Sequence, residues 1–321
     1  MALEFELLRT RPTGWSPADA RVVLNARMDA RIVPDSGCAR LHYAHLVVLD
    51  DFVGDIERGA LLDLLTAPGW DHGQGPPPSK WERATADGAG LPATWGLTDE
   101  ALAALAADPP PAMLEVHARL AALFPDAEER EAAPAVSLSD PEGMTDRKVM
   151  ADAPVRCAAF VGNAAVAGDA FAYHVDADPA AFPDSPWRAR FGDYANGARG
   201  RPLLVSLLVY LDAAWPRDWG AETLFLDGRT DVGIAVRPKP GRAVLMDQDL
   251  LHRVSAPSPA AGSRPRYSLV WKLAFLPRGG AAACLARPEW GPPVSIGSAA
   301  HVEQVKRTLK RKAAAEAAAP G

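Results

Sequence analysis

The chain has 321 residues, 48% of them hydrophobic, and its 34 Lys and Arg against 40 Asp and Glu give a formal net charge of −6. That composition supports a large core in one or two domains and removes any global electrostatic case for nucleic acid or membrane as a partner. No run of 18 apolar residues marks a membrane span and the acidic start lacks a signal-peptide pattern. The three scattered cysteines, Cys38, Cys157 and Cys284, suggest neither a disulfide framework nor a zinc site. An intracellular protein, cytoplasmic or nuclear, is therefore expected.

Residues 1–40 show no strong period. Residues 46–52 read as a strand. Asp55 opens a helix to about Thr66, with Ile56, Ala60, Leu61, Leu64 and Leu65 as its apolar stripe and Pro68-Gly69 as its stop. Residues 69–96, rich in Gly and Pro and holding Trp70, Trp81 and Trp95, read as a long irregular segment. Thr98 caps a short helix to about Ala107, and Pro111 opens another with Met113, Val116, Leu120 and Leu123 facing the core and His117 on the exposed side. Residues 126–154, charged and small, read as a surface linker.

Strand signals dominate from 155 onward, at about 155–160, 171–176, 203–211, 221–226, 232–236, 242–247, 251–255 and 266–275. Many short strands between Gly, Pro and Asp turns predict a mainly β protein with flanking helices (α+β), built on a jelly roll. Residues 302–321 read as a helical tail with a basic cluster, Lys306, Arg307, Lys310, Arg311 and Lys312: a solvated terminal helix, or a targeting or nucleic-acid contact. The expected organisation is an N-terminal support region (1–154), a catalytic core (155–280) and a C-terminal extension (281–321) within one structural domain.

The chemistry concentrates in His174-Val175-Asp176 and, far downstream, His252. Residues i and i+2 of a strand share a face, so His174 and Asp176 would stand side by side. With a histidine from a second strand they form two imidazoles and one carboxylate, the facial set that leaves metal positions open and suits non-haem Fe(II) oxygenases. Asp178 would share that face if the strand continued, but Pro179 turns the chain. Asp247 and Asp249 read as turn or supporting residues, and His42, His45, His72, His117 and His301 have no comparable neighbourhood. A guanidinium fork suits a carboxylate ligand, and Arg266, with Arg264 two residues before it, starts the last long strand.

Four stretches carry a resemblance. Phe160-Val161-Gly162-Asn163 sits where oxygen-sensing prolyl hydroxylases have Tyr-Pro-Gly-Asn, with Phe160 departing from their tyrosine. Val209-Tyr210-Leu211-Asp212 is similar to their Tyr-Tyr-Leu-Asn. Gly220-Ala221-Glu222-Thr223-Leu224-Phe225 resembles Gly-Gly-Glu-Thr-x-Phe of collagen-type enzymes, and Arg266-Tyr267-Ser268-Leu269-Val270-Trp271 resembles their Arg-Tyr-Ala-x-Thr-x-Trp. Over roughly 155–277 the chain thus resembles the prolyl-4-hydroxylase-like branch of the Fe(II)- and 2-oxoglutarate-dependent dioxygenases.

The resemblance implies a double-stranded β-helix of the cupin-like kind, with Fe(II) on His174, Asp176 and His252. It implies 2-oxoglutarate held by Arg266 and Tyr210, with Arg264, Thr223 and Asn163 as further contacts, O2 as the oxidant, and ascorbate as a candidate reductant. Substrate contacts are expected from a lid at 182–201, through Trp187, Arg188 and Tyr194, and from Asp178. The implied reaction hydroxylates a C–H bond and releases succinate and CO2. A protein or peptide side chain of the prolyl type is the first candidate substrate. A small molecule is the second, and a nucleic-acid base, oxidised or demethylated, the third. A cupin-like binding module without activity is the alternative of a different class.

Overall fold

The computed structural model describes residues 14–28, 43–86, 91–124, 136–137, 160–182, 184, 186–228, 230–275 and 284–296. The basic tail, Cys38, Cys157, His42, His301, the 155–159 part of the first expected core strand and all of the 126–154 linker except 136–137 lie outside the described residues.

In chain order the strands are β1 (Arg21–Met28), β2 (Leu46–Asp50), β3 (Trp81–Ala86), β4 (Ala93–Leu97), β5 (Val136–Ser137), β6 (Phe160–Ala165), β7 (Leu203–Tyr210), β8 (Thr223–Asp227), β9 (Val232–Val236), β10 (Ala243–Asp247), β11 (His252–Val254), β12 (Arg266–Phe275) and β13 (Val294–Ile296). The helices are α1 (Asp55–Leu65), α2 (Asp99–Ala107), α3 (Pro111–Leu123) and α4 (Pro186–Phe191). A large sheet runs β13-β1-β2-β10-β7-β12-β6-β4-β3, and a small one runs β11-β8-β9. His174 joins the small sheet through a single antiparallel bridge to His252. From β6 onward the chain alternates between the sheets: β6 large, the His174 segment small, β7 large, β8 and β9 small, β10 large, β11 small, β12 large. This winding is a double-stranded β-helix.

The period-2 rule of strands explains how one sheet serves two cores. Leu203, Val205, Leu207 and Val209 of β7 and Tyr267, Leu269, Trp271 and Leu273 of β12 face the helices, packing with Leu61 and Leu65 of α1 and Val116 and Leu120 of α3. The alternate residues Leu208, Tyr210 and Val270 face the small sheet, together with Val244 and Met246 of β10 and Phe225 of β8. Both central strands are buried on both faces, so they read as continuous apolar runs. A polar residue on their inner face therefore stands out.

The structure corrects several expectations. Residues 171–176 are not a regular strand but an irregular segment with the one bridge at His174. The irregular 69–96 segment contains the β3–β4 hairpin, and Trp81 is buried with its indole N–H donating to the Leu65 carbonyl at 2.7 Å. That hairpin lies on β6 because residue 162 is glycine: a Cβ there would come within 2.6 Å of Leu97 Cδ1. The first core strand is described over Phe160–Ala165 and runs past the expected end at 160, and β1 lies where no strand was expected. His117 is not on an open helix face; its ring sits edge-on to Trp271 at 6.1 Å. Within the expected lid, Pro186–Phe191 is helical.

Candidate metal and co-substrate site

The metal-binding candidates are brought together by backbone pairing. His174 and His252 exchange two main-chain hydrogen bonds, N–H to carbonyl, at 3.0 and 2.9 Å, which sets their rings side by side with centroids 4.5 Å apart. Each Nδ1 lies within hydrogen-bonding distance of a carbonyl two residues earlier: His174 of Ala172 at 3.1 Å and His252 of Leu250 at 2.8 Å. A carbonyl only accepts, so both Nδ1 atoms carry the proton and each Nε2 is its ring's acceptor nitrogen. The two Nε2 atoms each lie 3.8 Å from Asp176 Oδ1, too far for a hydrogen bond, and the three donor atoms all fall within 4.8 Å of one another. Asp176 is fixed independently by its own N–H, which donates to the Gln248 carbonyl at 2.7 Å.

The charges suit a cation. Burial would raise the Asp176 carboxyl, but the Lys272 ammonium, His252 and the Ser206 hydroxyl outweigh it and hold Asp176 well below the usual carboxylate range. Ser206 Oγ donates to Asp176 Oδ2 at 2.6 Å, and Lys272 Nζ forms an ion pair with the same oxygen. Burial pushes His252 down to about 4, and His174 and Lys272 add to that shift while Asp176 opposes it. His252 is thus neutral at physiological pH, as a metal ligand must be. Phe225 stacks on its ring, with centroids 6.0 Å apart.

Arg266 begins β12 on the same inner face. It is 0% exposed, and its Nε and Nη1 have no hydrogen-bond partner. Nη2 reaches Thr223 Oγ1 at 3.4 Å, and the guanidinium lies 4.9 Å from the Tyr210 ring centroid. The Tyr210 and Thr223 hydroxyls are 2.7 Å apart. A buried cation with unused donors beside two hydroxyls is costly unless an anion joins it. The distal carboxylate of 2-oxoglutarate fits that need, as the two Nε2 acceptors and the Asp176 carboxylate fit Fe(II). Arg264 lies near enough to Asp212 and His72 for its charge to act on both. Asn163 stands opposite Ser268, which stands opposite Tyr210, so the three share a row of the inner face.

The residues expected to touch substrate are placed differently. Trp187 is buried in a small apolar cluster with Ala177, Leu204 and Ala274, flanked by Phe191, whose ring centroid lies 4.7 Å from its own. Tyr194 is buried too, and burial lifts its phenol above the usual range. Arg188 pairs with Asp193 at 2.7 Å and with Asp184 at 3.2 Å. Asp178 Oδ1 accepts the Ala180 N–H at 2.9 Å and so closes a turn. Three residues of the inner face escaped the sequence reading: Lys272, Ser206 and Ser268, whose buried hydroxyl has no partner. The available signal was a lysine in the otherwise apolar second half of β12, in step with Arg266.

Residues 162–271 match the family model of the 2OG-Fe(II) oxygenase superfamily. Over those residues the chain is similar to that superfamily. No curated protein matches the sequence. Among solved structures it is similar to a Trichoplax adhaerens prolyl hydroxylase in complex with a hypoxia inducible factor oxygen degradation domain peptide fragment, with 17% identity over 36% of this chain and a TM-score of 0.24. That likeness spans only 41% of the Trichoplax chain. A Pseudomonas putida prolyl-4-hydroxylase shares 16% identity over 73% of this chain and 94% of its own, with a TM-score of 0.38. EvdO2 from Micromonospora carbonacea var. aurantiaca, complexed with 2-oxoglutarate, shares 14% over 81% and 97%, with a TM-score of 0.42. All three likenesses are distant.

Proposed function

We propose that this oxygenase hydroxylates a prolyl-type side chain in a protein or peptide, with His174, Asp176 and His252 holding Fe(II) and Arg266 holding 2-oxoglutarate. The observation that carries the site assignment is the pairing of two features between the sheets: two imidazoles clustered with a carboxylate, and a buried guanidinium with unused donors. When bound, iron and 2-oxoglutarate supply the chemistry: substrate C–H, O2 and 2-oxoglutarate give C–OH, succinate and CO2. The chain contributes position and dryness. The carbonyls of Ala172 and Leu250 fix the imidazole tautomers, Ser206 and Lys272 hold Asp176, and Tyr210 and Thr223 offer hydroxyls beside Arg266. Leu208, Phe225, Met246 and Val270 keep the space between the sheets apolar.

The prolyl assignment rests on the Gly220–Phe225 and Arg266–Trp271 stretches and on the segment 182–201, which carries the exposed Arg190. The test is succinate release with Fe(II) and 2-oxoglutarate against proline-containing peptides, nucleosides and small metabolites. Peptide-dependent succinate with one oxygen added at proline is the expected result. Coupled turnover on a metabolite or nucleoside, with none on peptides, would replace the prolyl reading while leaving the oxygenase intact.

A further inference from the structure

Lys272 is not accounted for by iron or co-substrate binding. It lies in β12 on the inner face, six residues beyond Arg266, directly opposite Ser206 of β7 in the antiparallel register. Its side chain is only 13% exposed, and an ammonium is costly in an apolar strand unless its charge is used. Both facing residues converge on one atom. Ser206 Oγ donates to Asp176 Oδ2, and Lys272 Nζ pairs with the same oxygen. The other oxygen, Oδ1, is the one that faces both histidine Nε2 atoms. The two oxygens of a single carboxylate are thus divided between two tasks.

We infer that Lys272, assisted by Ser206, is a positioning residue that holds Asp176 to one-oxygen coordination and, by its charge, biases the site toward a divalent over a trivalent ion. This rests on the reading that His174, Asp176 and His252 bind Fe(II). The steric part follows from occupancy: with Oδ2 engaged by two donors, the carboxylate cannot swing both oxygens onto the metal and use up a position that co-substrate or O2 requires. The electrostatic part follows from Coulomb's law. A fixed positive charge one carboxylate away repels Fe(III) half as much again as Fe(II), and in a buried site that difference is weakly screened. The lysine therefore opposes loss of an electron from Fe(II) to O2, the side reaction that yields Fe(III) and superoxide when no substrate is present. A lysine placed for packing alone would reach neither the spectrum nor the oxidation rate of the metal.

The test compares wild type, Lys272→Met, Lys272→Arg and Ser206→Ala as full chains. The first readout is the visible absorption of the Co(II)-loaded protein, whose intensity falls as coordination number rises. The second is the rate at which the Fe(II) form becomes ferric in air, followed by electron paramagnetic resonance. Lys272→Met should weaken the Co(II) band and speed iron oxidation by about tenfold or more. Lys272→Arg should keep the oxidation rate near wild type, and Ser206→Ala should change the band more than the rate. If Lys272→Met does not fold, the Arg and Ala variants still decide: faster oxidation in Lys272→Arg than in Ser206→Ala would overturn the charge argument. Unchanged spectra and rates in Lys272→Met would overturn the inference as a whole. Failure of the wild type to bind Co(II) at all would instead remove the metal assignment beneath it.

Discussion

On the proposed assignment, Arg266 is a single residue tuned for a ligand at a cost to the protein without it. Its guanidinium is fully buried with two nitrogens unpartnered, and Tyr210 and Thr223 supply a ring and hydroxyls but no counter-charge. Replacing a buried, incompletely paired ion with an apolar side chain of similar length is often neutral or stabilising. Arg266→Met should therefore leave the melting temperature of the metal- and co-substrate-free protein unchanged or raised. The same change should weaken 2-oxoglutarate binding by more than about tenfold, since truncating one partner of a buried charged pair costs roughly 2–5 kcal/mol. It should also abolish the thermal stabilisation that saturating 2-oxoglutarate gives wild type, about 2.7 kcal/mol at a hundred times Kd. Calorimetric titration with a thermal melt reads both signs. Arg264→Met should be mild, and a larger loss there than at Arg266 would reverse the assignment. Tyr210→Phe should fall between, because it removes one hydroxyl and keeps the ring beneath the guanidinium.

At the scale of elements, β12 and α3 meet where the sequence reading failed for His117. Helical spacing placed it outside, but the ring packs edge-on to Trp271, and burial pushes its pKa down to about 4 from the ordinary 6.5. A base whose folded pKa is depressed binds fewer protons in the native state, so its stability contribution is complete above about pH 6.5 and is lost as pH falls toward 4. Urea-unfolding midpoints of the metal-free protein should fall through that window, and His117→Gln should flatten the fall without removing it, since His252 titrates in the same sense. An unchanged slope in His117→Gln would place the acid sensitivity elsewhere. The same contrast explains what could be read. β7 and β12 were legible because short, nearly continuous apolar runs rich in Leu, Val and Trp between turn residues read as strands buried on both faces, and the helices because Thr98 and Pro111 mark their starts. The facial set was legible from residue type and spacing, although its stated reason was incomplete: His174 and Asp176 converge through a bridge to His252 and a bond to the Gln248 carbonyl, not through a regular strand. β1, with alternating exposure and arginines at both ends, and the β3–β4 hairpin, built on Trp81 and a glycine in another strand, depend on tertiary contacts that no local pattern encodes. Glu222 is another such case. Its carboxylate accepts from Ser255 Oγ at 2.6 Å, tying the start of β8 to the end of β11 and so placing Thr223 in the pocket.

For the molecule as a whole, the question is whether the region before residue 155 is a separate domain or part of the oxygenase. β1 and β2 continue the large sheet through β10, with Leu46–Leu49 in register against Ala243–Met246. Asp50, buried at the end of β2, accepts from Arg242 Nε and Lys239 Nζ, both at 2.6 Å, and from Arg21 at 2.8 Å. Burial pushes its carboxyl up, but the bonds from Arg242 and Lys239 leave it below the ordinary range. Arg58 of α1 donates to the Leu211 carbonyl at 2.8 Å, beyond the end of β7. A boundary crossed by sheet pairing, a buried carboxylate and a side-chain bond to the residue after β7 supports reading the described parts of both halves as one unit. Calorimetry should therefore show one cooperative transition, and Mn(II) with 2-oxoglutarate, bound at the site proposed between the two sheets, should move that whole transition upward. Asp50→Asn should lower it by about 1–3 kcal/mol, an unmet hydrogen-bond cost rather than a full buried-ion cost, because Arg21 and Lys239 remain largely exposed. Its effect on metal affinity should be small. Two resolved transitions, with only the upper or the lower one responding to Mn(II) and 2-oxoglutarate, would mean that residues 1–154 fold as their own unit and that the shared sheet is a docking surface between two domains.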